Sequence, residues 1–148
     1  MLRWIDLPPV WLLGTLALVR AVATVDPLAY DPAGWRWISV ALAVAAAGLM
    51  LWAVALMTRH RTTVIPHRDP SRLVTSGPFR WTRNPIYLAD ALILAAAAHW
   101  SGTPSGALLL VPFVWLVTRR FIRPKEARLA ALAGPDWTAY AARVRRWL

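Results

Sequence analysis

The sequence predicts an all-α integral membrane protein with about four transmembrane segments, the last two paired as a helical hairpin, followed by a cytoplasmic amphipathic helix. Composition is the first reason: 58% of the 148 residues are hydrophobic and 16% are charged, against about 45–50% and roughly 25% in a soluble domain. The second is that long apolar stretches alternate with polar ones, and the third is that basic residues gather in two of the polar stretches. This composition excludes a disordered chain, and the length excludes a multi-domain enzyme.

The absence of cysteine and the placement of charge exclude further classes of protein. Without cysteine there is no disulfide framework, thiolate zinc site or cysteine nucleophile. The net charge of +10 would be typical of nucleic-acid binding in a soluble chain. Here the sixteen arginines and one lysine cluster beside apolar stretches, as on the cytoplasmic side of membrane proteins. We therefore expect a membrane protein with no nucleic-acid partner.

Two apolar stretches fill the N-terminal part of the chain. The first covers residues 7–25, and its nineteen residues are close to the ~20 that cross a bilayer core. A turn rich in aspartate and proline, residues 26–34, leads to the second stretch, residues 37–57, which contains no charge. Residues 1–57 are thus predicted to form two transmembrane helices.

Two shorter apolar stretches follow in the second half of the chain. Residues 86–100 and 107–117 are fifteen and eleven residues long, joined by an uncharged turn at 101–106. Each is short for an independent span, so we expect a tight helical hairpin whose ends extend into polar sequence. In the tail, Leu129, Leu132, Tyr140 and Val144 recur at roughly helical spacing, which predicts a surface-lying amphipathic helix.

The distribution of basic residues predicts the topology. Fourteen of the seventeen lie in the loop 58–83 or in the tail after residue 117, and none lies in the turns 26–34 and 101–106. The positive-inside rule then places both termini and the loop 58–83 in the cytoplasm. We expect one domain, residues 1–148, in a bacterial cytoplasmic membrane, with a motif-bearing region at 58–148.

The first motif is LVTSGPFRWTRNPIY, residues 73–87. Gly77 and Pro78 predict a turn, and Asn84 followed by Pro85 predicts a helix start, with Asn84 as a possible cap. A helix N-terminus attracts a carboxylate or another anionic group, and Tyr87 can present a ring or hydroxyl beside it. The plainer alternative is an interfacial turn whose arginines contact phospholipid headgroups.

Two acids stand out because so few occur beside apolar sequence. Glu126 is the only glutamate in the chain, in a second motif that begins KEARLAALAG at Lys125. It either contacts a ligand or forms a surface ion pair with Arg123 or Arg128, which would contribute little stability. Asp90 lies well within an apolar stretch, where its charge is unfavourable unless an arginine or a ligand cation pairs with it.

These two ordered motifs resemble those of the isoprenylcysteine carboxyl methyltransferase and phospholipid methyltransferase superfamily. Its members are small integral-membrane enzymes that use S-adenosylmethionine. The resemblance covers about residues 62–148 and implies that the cofactor is wrapped by the cytoplasmic ends of the last helices and the tail. The cofactor contacts that it implies are Ser71, Arg72, Leu73, Val74, Phe79, Asn84, Pro85, Ile86, Tyr87, Lys125 and Glu126.

The chain departs from the family pattern at two of these positions. Asn84 stands where eukaryotic members have histidine, and bacterial relatives often have asparagine. Lys125 replaces the first glutamate of an acidic pair, and a lysine cannot accept a hydrogen bond from an amine or a ribose. The arginine that contacts the prenylated substrate in eukaryotic members aligns near Phe121, so the substrate does not carry over.

We therefore expect a methyltransferase that uses S-adenosyl-L-methionine, no metal, and an amphiphilic or membrane-associated acceptor, either an isoprenylcysteine carboxylate or a phospholipid. No general base is identifiable from the sequence. An NADPH-dependent membrane reductase of related architecture and a non-catalytic membrane scaffold are the alternatives.

Overall fold

A computed structural model describes residues 6–62 and 72–148, and these residues contain helices and no strand. Their six α-helices are α1 (Pro8–Ala23), α2 (Arg36–Arg59), α3 (Pro85–Trp100), α4 (Pro104–Ala107), α5 (Leu110–Val117) and α6 (Arg123–Arg143). Short 3-10 turns occur at Ala33–Trp35 and Gly77–Arg80, and a π-helical turn, Thr118–Ile122, joins α5 to α6. The predicted all-α class is confirmed for the described residues.

The first two helices lie where the apolar stretches predicted them. α1 begins at Pro8 and Pro9, and proline suits a first turn because the N–H groups there have no helical partner. α2 starts one residue before the charge-free stretch and ends two residues after it, at Arg59. By length and composition, Ala33–Arg59 and Pro104–Arg143 could cross a membrane, whereas Pro8–Ala23 and Pro85–Trp100 are shorter apolar helices.

α3 is the central helix and packs against α1, α2, α4 and α5. Its most extensive contact is with α2, and fully buried alanines occur on both helices, Ala46 and Ala53 on α2 and Ala89 on α3. Such small side chains let helix backbones approach closely. A hydrogen bond of 2.8 Å joins the Ser39 Oγ of α2 to the His99 Nδ1 of α3. The two helices therefore run antiparallel along their lengths.

Three apolar clusters hold the described residues together. The largest joins α1, α3, α5 and the π-helical turn, and includes Val19, Leu94, Phe113 and Ile122. Burying a leucine such as Leu94 contributes about 1.5–3 kcal/mol. Two smaller clusters lie around Phe79 and around Trp137. They fix the segment 72–87 between α2 and α6, where the candidate site is found.

The turn between the third and fourth apolar stretches is shorter than predicted, because α4 already begins at Pro104. Thr103 caps it, since its Oγ1 accepts a hydrogen bond of 3.0 Å from the Gly106 N–H. Gly102 has φ +61°, and a Cβ there would lie 2.0 Å from the Tyr30 carbonyl oxygen. Only glycine fits this approach of the turn to the loop after α1.

Asp26 fastens that loop to the start of α4. Its Oδ2 accepts hydrogen bonds from the Thr103 hydroxyl (2.5 Å) and the Ser105 N–H (3.0 Å), and its Oδ1 accepts one from the Ser105 hydroxyl (2.8 Å). The hydrogen bond from Thr103 is the main reason that the pKa of Asp26 falls to about 2. The two loops at this end of the bundle are thus joined through one ionised carboxylate.

The helical chain continues past residue 117, where the fourth apolar stretch ends, and into the basic sequence that follows, as expected for a hairpin whose ends extend into polar sequence. In the π-helical turn the Arg123 N–H bonds to the Thr118 carbonyl. Pro124 has no N–H and its ring would clash with the carbonyl four residues earlier, and the wider turn relieves both problems. α6 then bends at Gly134, where φ is +48°. Of the predicted amphipathic face, Leu129 and Tyr140 are buried, whereas Leu132 is half exposed and Val144 lies beyond the helix.

Candidate functional site

A cavity of about 290 Å³ lies where the segment 72–87 meets α2, α3 and α6. This is close to the lower end of the ~300–1,000 Å³ typical of small-molecule sites. One wall is apolar and is formed by the start of α1 and the second half of α2, through Pro8, Pro9, Met50, Val54 and Met57. The opposite wall is formed by the π-helical turn and α6, through Arg120, Phe121, Lys125, Arg128, Leu129, Trp137 and Tyr140.

Most of the residues implied by the resemblance lie around this cavity, although they come from separate parts of the chain. Those that line it are Arg72, Leu73, Val74, Phe79, Asn84, Pro85, Ile86, Tyr87 and Lys125. Ser71 lies outside the described residues. Glu126 does not line the cavity, because consecutive residues of an α-helix point about 100° apart and Lys125 takes the cavity side.

Asn84 lies at the start of α3 with a side chain that is 1% exposed. The sequence suggested that Asn84 caps this helix, but its side chain makes no capping hydrogen bond. Its Nδ2 instead donates a hydrogen bond of 3.1 Å to the Arg146 carbonyl. No described residue donates to its Oδ1. A buried carbonyl oxygen without a partner is unfavourable and needs an explanation. Since Asn84 lines the cavity, a bound hydrogen-bond donor would satisfy this oxygen.

Glu126 is buried rather than on the surface, and its partners are distant in sequence. The Arg146 guanidinium donates to both carboxylate oxygens, with Nη2 2.7 Å from Oε2 and Nε 3.2 Å from Oε1. Arg83 approaches from the segment before α3, with its Nη1 3.4 Å from Oε1. The predicted ion pair with Arg123 or Arg128 is therefore replaced by pairs with Arg146 and Arg83.

The segment after α6 folds back over the start of α3. The Thr82 hydroxyl donates to the Arg146 carbonyl at 3.2 Å, and the Arg83 N–H donates to the Arg145 carbonyl at 3.0 Å. Further along, the Trp147 Nε1 donates to the Thr118 hydroxyl at 3.1 Å. We call residues 144–148 the C-terminal strap. It fixes the turn at 82–84, and with it the position of Asn84.

Aromatic side chains from the start of α3, the π-helical turn and α6 line the cavity. Tyr87 and Phe121 are stacked, with ring centroids 6.4 Å apart. The Arg83 guanidinium lies 5.7 Å from the Trp137 ring centroid, and the Tyr140 hydroxyl donates to the Phe79 carbonyl at 2.7 Å. Ring faces of this kind can stack on a planar base or attract a cation.

Comparison with known proteins gives one result that decides the family. The family model described as phospholipid methyltransferase matches residues 35–129, well over half of the chain. The chain belongs to the phospholipid methyltransferase family. No curated protein and no solved structure matches it.

The family match covers α2 through the first part of α6, and so includes Asn84, Tyr87, Lys125 and Glu126. It ends before Trp137, Tyr140 and the C-terminal strap. The assignment of the chain to the phospholipid methyltransferase family therefore rests on residues 35–129. The contacts that the strap makes to Asn84 and Glu126 are known from the structure alone.

Several residues that line the cavity were not among the site residues predicted from the sequence. Asp90, the only acid among the described residues that line the cavity, was conspicuous as an acid in an apolar stretch. Trp137 and Tyr140 belong to the second motif, whereas Met50 and Val54 of α2 carry no signal that separates them from other apolar helix residues. Among the described residues, no cluster of three histidine or acidic side chains could hold a metal ion.

Proposed function

We propose that this protein is an integral-membrane methyltransferase that uses S-adenosyl-L-methionine in the cavity beside Asn84 and transfers the methyl group to an amphiphilic acceptor. Membership of the phospholipid methyltransferase family supports the reaction class. The observation that carries the cofactor assignment is the buried Oδ1 of Asn84, for which no described residue provides a hydrogen-bond donor.

The residues around the cavity fit the chemical groups of this cofactor. The Asn84 Oδ1 can accept a hydrogen bond from an ammonium or a ribose hydroxyl. The α3 N-terminus offers backbone N–H groups to a carboxylate, and Pro85 stands there because its missing N–H costs no helical hydrogen bond. The rings of Tyr87 and Trp137 can pack against a purine base or a sulfonium.

The cofactor supplies an activated methyl group, and the chain's own residues then have two tasks. They must hold donor and acceptor in line, because proximity and orientation lower the barrier of such a displacement. They must also exclude water, which the clusters around Phe79 and Trp137 do on two sides of the cavity. No metal or covalent intermediate is needed for this reaction.

The outer surface of the helices supports an integral-membrane location. Large apolar side chains point away from the bundle on three helices, among them Leu13, Val44, Leu51 and Val111, each at least 65% exposed. Isolated exposed apolar residues are common in soluble proteins, but a surface this apolar suits lipid. We propose that α1, α2, α3 and the stretch through α4 and α5 cross the membrane, with both termini in the cytoplasm.

The apolar wall formed by Met50, Val54 and Met57 supports a lipid-like acceptor. These side chains lie on α2, the helix whose outer face would contact lipid, and they continue into the same cavity as Asn84. An acyl or isoprenyl chain could lie along this wall while its headgroup reaches the cofactor. Burial of each methylene would contribute about 0.8 kcal/mol.

An NADPH-dependent reductase is the alternative that the test must distinguish from a methyltransferase. Five basic residues line the cavity, and a 2′-phosphate would attract them. Two of them are already paired, Arg83 with Glu126 and Arg120 with Asp6. NADPH is also much larger than S-adenosylmethionine.

The experiment is an isothermal calorimetric titration of the purified protein in detergent, once with S-adenosylmethionine and once with NADPH. It measures the affinity of the protein for each cofactor. We expect saturable binding of S-adenosylmethionine and transfer of its labelled methyl group to added lipid. Binding of NADPH alone would overturn the proposal in favour of the reductase. Binding of neither by the folded protein would favour the scaffold.

A further inference from the structure

A groove on the outer surface of α5 lies apart from the cavity and has no role in the proposed function. Its volume of about 720 Å³ is within the ~300–1,000 Å³ typical of sites for small ligands. Four apolar side chains of α5 form its first part, those of Leu110, Val111, Val114 and Trp115. Arg119 and Arg123, from the π-helical turn and the start of α6, form its other end. The groove shares no lining residue with the cavity beside Asn84.

The side chains of the groove change from apolar to basic in one direction along the helix. Val111, Trp115, Arg119 and Arg123 follow one another at intervals of four residues, which keeps them on nearly the same side of a helix. Val111 is 70% exposed and Trp115 is 59% exposed, so these side chains face outward. A bilayer has the same order from its core to its surface: acyl chains, an interface where tryptophan is enriched, and charged headgroups.

The two arginines of the groove have no carboxylate partner within the described part of the chain. Arg120, which follows Arg119 in sequence, binds Asp6 and lines the cavity instead. The Arg119 guanidinium lies 5.3 Å from the Trp115 ring centroid, a contact that holds it at the end of the apolar part. The groove therefore ends in two positive charges that an anion from outside the chain can neutralise.

We propose that this groove binds an anionic phospholipid of the cytoplasmic leaflet, with an acyl chain along Val111 and Val114 and the phosphate between Arg119 and Arg123. Guanidinium groups suit this ligand, because their planar N–H donors match the oxygens of a phosphate. The inference rests on the membrane location and orientation proposed above, and not on the cofactor or the acceptor. The lipid in this groove is a bound ligand and is not methylated.

A second copy of the chain is a poorer occupant of the groove. In a two-fold symmetric dimer whose axis is perpendicular to the membrane, equivalent residues of the two copies face each other. Arg119 and Arg123 of both copies would then meet without an acid between them, and like charges repel. Thr118, the remaining polar residue of the groove, already donates to the Val114 carbonyl at 2.6 Å and accepts from the Trp147 Nε1 at 3.1 Å.

The experiment is a lipid titration of the protein in a neutral detergent, followed by native mass spectrometry, which counts the bound lipids. The first two probes are dioctanoyl phosphatidylglycerol, which is anionic, and dioctanoyl phosphatidylcholine, which has the same chains and no net charge. The third is glycerophosphoglycerol, the anionic headgroup without acyl chains. Wild type is compared with Arg119→Gln/Arg123→Gln. The matched control is Arg59→Gln/Arg143→Gln, which removes two exposed arginines outside the groove.

We expect wild type to bind phosphatidylglycerol more tightly than phosphatidylcholine, and to bind glycerophosphoglycerol weakly because it buries no methylene groups. An arginine beside an anionic headgroup contributes about fivefold in affinity. The Kd for phosphatidylglycerol should therefore rise about tenfold to thirtyfold in the groove variant and less than about twofold in the control. If the double variant does not fold, Arg119→Gln and Arg123→Gln decide singly, each with a rise of about fivefold.

Other results would overturn the inference. Equal losses of affinity in the groove variant and the control would indicate diffuse attraction to a basic surface. Unchanged affinity in the groove variant would place the lipid elsewhere, and equal binding of glycerophosphoglycerol would exclude the apolar part. A dimer that Trp115→Ala dissociates would assign the groove to a second copy. None of these measurements involves S-adenosylmethionine, so failure of the inference would leave the proposed reaction intact.

Discussion

The guanidinium of Arg146 binds both carboxylate oxygens of Glu126, twenty residues earlier in the chain, through three hydrogen bonds of 2.7–3.2 Å. The ion pair closes the C-terminal strap over the turn at 82–84. The hydrogen bonds that Arg146 donates to the Glu126 carboxylate raise the pKa of Arg146 above its ordinary value. Glu126 thus acts on the candidate site through the strap, and Lys125 is the neighbour that lines the cavity.

Breaking this pair should destabilise the protein measurably. Because Glu126 is buried and Arg146 is about one third exposed, we expect Glu126→Gln or Arg146→Gln to cost about 1–3 kcal/mol, less than for a fully buried pair. A thermal melt in detergent would show a fall of roughly 2–10 °C. The double variant should cost less than the sum of the two. Arg145→Gln, at an exposed neighbouring position, is the control and should melt like wild type.

Asn84 should be needed for cofactor binding through its Oδ1. Asn84→Leu removes that acceptor and should raise the Kd for S-adenosylmethionine about tenfold, which is the loss of one hydrogen bond of about 1.4 kcal/mol. Calorimetric titration measures the change.

Thr82→Val separates this role from the role of Asn84 in holding the strap. Thr82 also donates to the Arg146 carbonyl, but it does not line the cavity. This variant should melt earlier and lose less cofactor affinity than Asn84→Leu, because Asn84 keeps its Oδ1 and its own hydrogen bond to the Arg146 carbonyl. Equal losses of affinity in the two variants would assign the effect to the strap and not to the Oδ1.

Acid should weaken the junction between the loop after α1 and α4. The pKa of Asp26 is about 2 in the folded protein, below its ordinary value of 3.8. A lowered pKa contributes stability that is fully present above the ordinary value and is lost as pH falls toward the folded value. The melting temperature should therefore fall between about pH 4 and 2, with a smaller fall in Asp26→Asn and in Thr103→Val. An identical acid dependence in all three proteins would contradict this assignment.

Gly102 should tolerate no side chain. Its φ of +61° strains other residues, and a Cβ would meet the Tyr30 carbonyl oxygen at 2.0 Å. Gly102→Ala should therefore destabilise the protein by about 2–4 kcal/mol, combining backbone strain with displacement of the loop. Gly48 of α2 has open space around it. Gly48→Ala should be neutral or stabilising by up to about 1 kcal/mol, and melts of the two variants would show the difference.

The topology can be tested cleanly because the chain contains no cysteine. Leu28→Cys introduces a thiol at an exposed position of the loop after α1, and Thr75→Cys one at an exposed position before α3. A membrane-impermeant maleimide should label Leu28→Cys on intact bacterial cells and Thr75→Cys only after permeabilisation. The reverse pattern would invert the proposed orientation.

The helix positions could be predicted because they follow from local chemistry. The charge-free stretch that became α2 is bounded by arginines, and α3 starts at the Asn84-Pro85 pair that predicted it. The end of the fourth segment could not be predicted in the same way. No glycine or proline separates Val117 from Arg123, and only the packing determines whether an apolar helix continues into a basic sequence.

The motifs indicated nine of the residues that line the cavity, but not the contacts that hold these parts of the chain together. The partner of Asn84 is a backbone carbonyl, a group that every residue carries. The partner of Glu126 is one of sixteen arginines, and helical spacing favoured the near neighbours Arg123 and Arg128. A chain reversal after α6 brought Arg146 to it instead, and sequence spacing does not describe such a reversal.

The hydrogen bond from the Asn84 Nδ2 to the Arg146 carbonyl also determines which ligand groups can bind beside Asn84. A primary amide can normally rotate to offer either its NH₂ or its oxygen. Here the NH₂ group is bonded to the main chain, so the orientation of the amide is fixed before a ligand binds. No rotational entropy of this side chain is then lost on binding. The cavity therefore selects by polarity at this point: it receives a hydroxyl or an ammonium and rejects a group that can only accept.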